Sequence, residues 1–388
     1  MKLLFVVSSL DLTQPFSATP AWWQLMKGLY EIGADVIATP YQGPPIETLW
    51  WRAEANPAKW QGDLFKALRD GVLRRLLPPK PPVQLDESAT PPTPQPLPDG
   101  RVPDDGLGLS DKAVRRIAQT TIAPLWWRHL DRILTRQPDI DAVIFLTVPL
   151  NHLVGVAERI QTKHNKPVFY YDGDVPASLP VMHGFASGFR IYQGANLREY
   201  TAFISNSLGG AEMLRQMGAP DVHTLYYGAD PDVFNPVPVA EQDIDVFFYG
   251  HGREYRARWI DAMIGEASRQ MPEARFAVRG TRLGDLGRTE LLPYLSFSKL
   301  REYAARSKIN LCITRRAHAS VHASSSSRPF ELSAMGCCIV ASPYKGLETW
   351  FEPEKELFVV SSQEEAIDRY RYLLAHDEVR RAVGQAAR

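Results

Sequence analysis

The chain has 388 residues, of which 45% are apolar and 23% charged, with 44 Lys and Arg balancing 44 Asp and Glu. That length exceeds one ordinary hydrophobic core and predicts two domains, and the composition excludes a disordered chain. A formal charge of zero supplies no net field for nucleic acid or an anionic membrane, so any basic site must be local.

The opening segment, MKLLFVVSSLDL, has a short apolar run and no small-residue cleavage site, so it reads as a core strand and not as a signal peptide. No apolar run approaches the roughly 20 residues of a membrane helix. A cytoplasmic protein is the expectation, and peripheral membrane contact stays open. Oligomeric state is not readable. Cys312, Cys337 and Cys338 lie in apolar runs without CxxC spacing, which predicts buried reduced thiols and no zinc site.

After the first strand, residues 20–33 place Trp22, Leu25, Met26, Leu29 and Ile32 on one helical stripe that Gly33 ends. Strand-like runs follow at ADVIATP, DAVIFLT, PVFYYDG, AFISNS and VHTLYYG, with helical stretches between several of them. This alternation predicts an α/β fold with a doubly wound parallel sheet. The Pro-rich tract over 78–110 interrupts the pattern and reads as a mobile insertion.

The segment NPVPVAEQD marks the expected boundary, giving domains 1–237 and 238–388. A second alternating set then runs through IDVFFYG, a helix over 254–271, RFAVRG, a helix over 298–307 and KINLCIT. The last helix is expected over 363–375, opened by a capping box from Ser362 to Glu365.

Ligands of open α/β sheets bind at the carboxyl ends of the strands, so the loops there matter most. The segment SSSSRPFELSAMGCCIVASP, over 324–343, should place serines at the start of a helix beginning near Arg328 or Pro329. Ser326 and Ser327 allow close approach of an anion, Arg328 offers a bidentate phosphate contact, and Glu331 can accept from a ribose diol. Glu331 as a mere helix-dipole partner and the serines as plain loop fit these residues equally well.

The stretch RPFELSAMGCCIVASPYKGLETWF resembles the nucleotide-binding signature of GT-B glycosyltransferases, closest to the spore-maturation-protein type of the group 1 family. YYGADPDVFNP and DVFFYGHGREYRARWIDAMI are similar to two further passages of that family, in the same order. The resemblance implies GT-B architecture, with two Rossmann-like domains facing a cleft. It makes Glu331 the ribose clamp and Gly346 with Leu347 the turn after the strand. Gly250, Arg253 and Arg256 would then lie against the diphosphate, with Arg256 first because it begins the helix. Ala323, eight residues before Glu331, stands where many retaining relatives carry a carboxylate. The chain ends on VRRAVGQAAR, where such proteins would start a helix crossing back to the first domain.

In the first domain, Asp172 and Asp174 follow a strand and suit an acid–base role; an Asx turn or a helix cap is the plainer reading of the same residues. His152, after the DAVIFLT strand, is placed to contact the acceptor or the transferred sugar, and a plain helix-start histidine fits it equally well. The expected activity is metal-independent transfer of a sugar from a UDP- or GDP-linked donor to an unidentified hydroxyl acceptor, with no cofactor. A nucleotide-sugar epimerase and a non-catalytic binding partner are the alternatives.

Overall fold

The computed structural model describes residues 1–11, 21–68, 90–104, 108–186, 188–252, 256–293 and 297–388. The chain divides into two compact units, the first holding most of the residues up to Leu225 and the second Tyr226–Arg388 together with residues 21–24.

The first unit is built on a seven-stranded sheet in the order β3-β2-β1-β4-β5-β6-β7. Its strands are β1 (Lys2–Ser9), β2 (Asp35–Gln42), β3 (Arg52–Ala53), β4 (Ala142–Leu146), β5 (Val168–Asp172), β6 (Ala202–Ser205) and β7 (Val222–Thr224). Every pairing is parallel, with Leu3 facing Val36 on one side and Ala142 on the other. Leu3 to Val7 are buried throughout, as a central parallel strand covered on both faces requires.

The second unit repeats the plan with six parallel strands ordered β10-β9-β8-β11-β12-β13. These are β8 (Ile244–His251), β9 (Phe276–Thr281), β10 (Glu290–Leu291), β11 (Ser307–Cys312), β12 (Ile339–Ala341) and β13 (Phe358–Val359). In both sheets the chain builds outward from a central strand, then crosses to its other side. The crossing leaves a crevice at the carboxyl ends of β1 and β4, and of β8 and β11. Phe248, Ile309, Leu311, Val340 and Tyr370 lie in the apolar layer on one face of the second sheet, and Phe247, Cys312, Leu332 and Ile339 on the other. The three cysteines are free and buried, as expected.

The expected boundary at 237/238 follows the Pro-rich segment, whereas the main run of the second unit starts at Tyr226. Packing decides the difference: Phe234 is buried in the second unit's core, with Ala229 and Val233 against it. The Pro-rich tract also differs from its reading as a mobile insertion. Its portion over 78–89 lies outside the described residues, but 97–102 is tied down. Leu97 N–H donates to Gln216 O at 2.8 Å, Val102 N–H to Ala195 O at 3.0 Å, and Gly194 N–H back to Val102 O at 2.9 Å. Backbone bonds of this kind leave no trace in composition.

Gly336, at φ +69, ends the helix Arg328–Ala334 as its position suggested. The helix Asp377–Ala387 lies against this corner. A Cβ on Gly384 would stand 2.3 Å from Gly336 O, a distance no side chain tolerates. In an exposed helix, replacing Gly by Ala stabilises by about 1 kcal/mol. Here the overlap reverses the sign, and Gly384→Ala is expected to destabilise by about 1–3 kcal/mol. A thermal melt checks this; a midpoint at or above that of the wild type contradicts the packing.

Candidate functional site

At the switch point of the second sheet, β8 ends in Tyr249, Gly250 and His251, and β11 leads into Thr314 and Arg315. Arg328, the first residue of its helix, reaches this edge and is only 4% exposed. Its guanidinium lies over two rings, 4.8 Å from the Tyr249 centroid and 5.3 Å from that of Phe248. Such cation–π stacking partly replaces the water that the charge has lost. Gly250 makes the approach possible: a Cβ there would stand 2.7 Å from Arg328 Nη2.

Glu331 is one turn further along the same helix and is 1% exposed. Tyr249 Oη donates to its Oε2 at 3.0 Å. Burial pushes the Glu331 carboxyl up from its ordinary value, while the Ser327 hydroxyl, Arg328 and the Tyr249 hydroxyl pull the other way. Four polar atoms of this cluster (Arg328 Nε and Nη1, Ser326 Oγ and Glu331 Oε1) are buried with no hydrogen-bond partner in the chain. Leaving a buried polar group unmade costs about 1–3 kcal/mol, so these atoms are available to a partner from outside the chain, whether water or ligand.

Other positive groups surround them. Arg256 is buried, and its Nη1 donates to His251 O at 2.6 Å. Arg315 Nη2 lies 3.4 Å from His318 Nδ1. Burial, then Arg315 and Arg256, hold the His318 imidazole well below its usual range, so that ring is neutral at pH 7. Arg315, His318 and Tyr249 were not singled out from sequence. Position alone could have flagged Arg315, which follows the KINLCIT strand directly.

Several expected members stand differently. Arg253 lies outside the described residues. Ser327 does not cap the helix: its backbone is already helical and its side chain makes no capping bond. Leu347 is buried in the core, so its side chain does not face a ligand. Gly346 adopts φ +79, and a Cβ on it would stand 2.4 Å from Ala323 N. Ala323 itself is fully buried and donates its N–H to Lys345 O at 3.0 Å.

In the first unit, Asp172 is the last residue of β5 and is fully buried. Its Oδ1 accepts from Asp174 N–H at 2.9 Å, and its Oδ2 accepts from Tyr192 Oη at 2.8 Å and from Ser178 Oγ. Both oxygens are thus engaged inside the fold, and the acid–base reading of Asp172 gives way to that of a loop organiser. Asp174 remains half-buried beside it. His152 Nδ1 shares a 2.8 Å hydrogen bond with Tyr41 Oη, and the Tyr41 ring stacks on Trp126 at 5.7 Å. Burial lowers His152 to about 4, leaving a neutral ring suited to hydrogen-bonding a hydroxyl. Among the described residues no group of three or more His, Cys, Asp or Glu is placed to hold a metal ion. None of the described helices is long and apolar enough to cross a membrane.

Residues 253–388 match the family model described as "Glycosyl transferase-like". No curated protein sequence matches the chain. Among solved structures, sucrose-phosphate synthase from Thermosynechococcus elongatus aligns over 100% of this chain and 93% of its own, at 13% identity and a TM-score of 0.60. The Alr3699/HepE protein of Anabaena, solved in complex with UDP, aligns over 100% and 93% at 15% identity and a TM-score of 0.56. Trehalose 6-phosphate synthase from Burkholderia multivorans aligns over 100% and 94% at 12% identity and a TM-score of 0.58. The chain therefore has the GT-B fold of these proteins, as its sequence resemblance implied.

The burial of Asp172 has a measurable consequence. Its carboxyl is pushed up to about 6 from an ordinary 3.8. Between these values the folded chain keeps a proton that the unfolded chain has released. The stability this supplies is complete below about pH 4 and lost as pH rises to 6, about 3 kcal/mol in all. Asp172→Asn should melt lower than the wild type at pH 4, and the gap should narrow by pH 6. Parallel melting profiles across that window would contradict this placement.

Proposed function

From the glycosyl transferase-like match of residues 253–388 and the GT-B fold, we propose that the chain transfers a sugar from a nucleoside diphosphate donor, UDP- or GDP-linked, to a hydroxyl acceptor. One observation carries this reading. A buried cation and a buried carboxylate stand one helical turn apart at the switch point, each with a polar atom that the chain leaves unpartnered.

In this reading Glu331 Oε1 accepts a ribose hydroxyl. Arg328, Arg256, Ser326 and Ser327 meet the diphosphate, while Gly250 makes room for the Arg328 guanidinium and Gly346 for the close approach of Ala323. Negative charge grows on the diphosphate as the glycosidic bond breaks, so cations already in place stabilise the transition state more than the ground state. These arginines provide the compensation without a metal ion or other cofactor. His152 and Asp174 remain the candidates for the acceptor side, the neutral imidazole by hydrogen-bonding a sugar hydroxyl and the carboxylate by taking the acceptor's proton.

Two observations favour a second reading, that of a donor-binding protein without transfer activity. Ala323 lacks the carboxylate that many retaining relatives carry, and Asp172 is spent on its own loop.

A thermal-shift panel of UDP, GDP, UDP-glucose and GDP-mannose tests the donor site. Ligand at about 100 times its dissociation constant stabilises the folded state by about 2.7 kcal/mol. At least one member of the panel should raise the midpoint, and Glu331→Ala should lose most of that rise. No shift with any of the four overturns the proposal. Incubating the chain with the donor that binds separates the readings: slow release of the nucleoside diphosphate supports a transferase, and an unchanged donor supports the binding protein.

A further inference from the structure

We infer that Tyr249 is the positioning residue of this site: its hydroxyl fixes the Glu331 carboxylate and its ring carries the Arg328 guanidinium, so one β8 side chain aligns both groups. The inference rests on the donor-site reading above and gives a role to a residue that the sequence did not single out.

Tyr249 is 1% exposed and lies within the second unit's core, packed with Phe247, Leu332 and Ile339. A ring held so firmly sets the height and tilt of the guanidinium 4.8 Å above it. Its one polar atom donates to Glu331 Oε2 at 3.0 Å. That bond divides the carboxylate, with Oε2 used inside the fold and Oε1 left without a partner. A planar carboxylate held at one oxygen cannot swing about its last torsion, so the other oxygen is presented in a fixed direction. Gly250, the next residue, leaves the space that the guanidinium fills. Tyr249 and Gly250 thus act as a pair at the end of β8, one supporting and one making room.

The hydroxyl also sets the charge state of the clamp. Four groups face Glu331: Ser327 and Arg328 from its own helix, Tyr249 from β8, and Cys312 from β11. Cys337 faces Tyr249 in turn. Burial raises both thiols, so at pH 7 they stay neutral beside the carboxyl. Ser327, Arg328 and Tyr249 favour the ionised carboxylate against the burial that opposes it. Removing the Tyr249 hydroxyl should therefore raise the pH at which Glu331 takes up a proton. An ionised carboxylate accepts more strongly from a ribose hydroxyl than a carboxylic acid does, so the affinity for a nucleoside should fall at that higher pH.

The test titrates the full chain with UDP, GDP and inorganic pyrophosphate from pH 4.5 to 8, by calorimetry. Pyrophosphate reports on Arg328 without a ribose. Tyr249→Phe keeps the ring and should leave pyrophosphate affinity within about twofold of the wild type. It should weaken the nucleoside diphosphate that binds by about tenfold near pH 6, a change of about 1.4 kcal/mol, and move the acid midpoint of that binding upward. Tyr249→Leu removes the ring and should weaken pyrophosphate as well. In a Glu331→Ala background, Tyr249→Phe should have no further effect on the nucleotide, since its hydroxyl acts through that carboxylate. An unchanged acid midpoint in Tyr249→Phe, or an equal loss with and without Glu331, overturns the inference while the donor-site reading stands. A wild type that binds none of the three probes overturns that reading and this inference together.

Discussion

The second unit is arranged around one demand: a guanidinium must sit almost wholly out of water at the edge of a parallel sheet. Placing the Arg328 charge there is expensive, and the fold meets the cost only in part, with the faces of Phe248 and Tyr249. Much around it follows from that demand. Position 250 must lack a side chain, because the guanidinium occupies the space. Gly336 must close the helix promptly so that β12 can join the sheet beside β11. The second sheet's crossing between β8 and β11 supplies the crevice in which the charge sits.

The surrounding electrostatics share one logic. Arg328 stands beside the Glu331 carboxylate, while Arg315 and Arg256 act on His318, which is held neutral. Several polar atoms of this cluster lack partners, whereas both carboxylate oxygens of Asp172 in the first unit are engaged. The contrast separates two buried carboxylates that look alike in sequence: one is a brace within its loop, the other keeps an oxygen in reserve. Free energy stored as unmade hydrogen bonds lowers stability but is returned when a complementary ligand arrives.

The central strands were legible from the sequence because β1 and β8 carry the apolar runs LLFVV and VFFY, and β11 alternates apolar Ile309 and Leu311 with polar residues before Cys312 and Ile313. Sequence reading missed β3, β10 and β13, since two residues cannot display a period. The domain boundary was drawn at the prolines, whereas the buried Phe234 draws the preceding residues into the second unit. Within the site, Arg328 and Glu331 were legible because both lie on one short helix. Tyr249 is 82 residues from Glu331 in the chain, and only the sheet crossing brings them together. Asp172 was ambiguous for a related reason: a carboxylate just past a strand has the same spacing whether it meets a substrate or its own loop. Its partner Tyr192 lies 20 residues away and was invisible to spacing. Leu347 matched a motif by type and position, yet motif matching does not separate a side chain that packs from a backbone that binds.

Where a nucleoside diphosphate sits decides the role of Arg328 and Glu331. The most direct measurement is a crystal structure of the full chain grown with UDP or GDP. A ribose hydroxyl within hydrogen-bonding distance of Glu331 Oε1, together with phosphate oxygens on Arg328, is the predicted result. A nucleotide bound at any other place, with Arg328 and Glu331 left unpartnered, would contradict it.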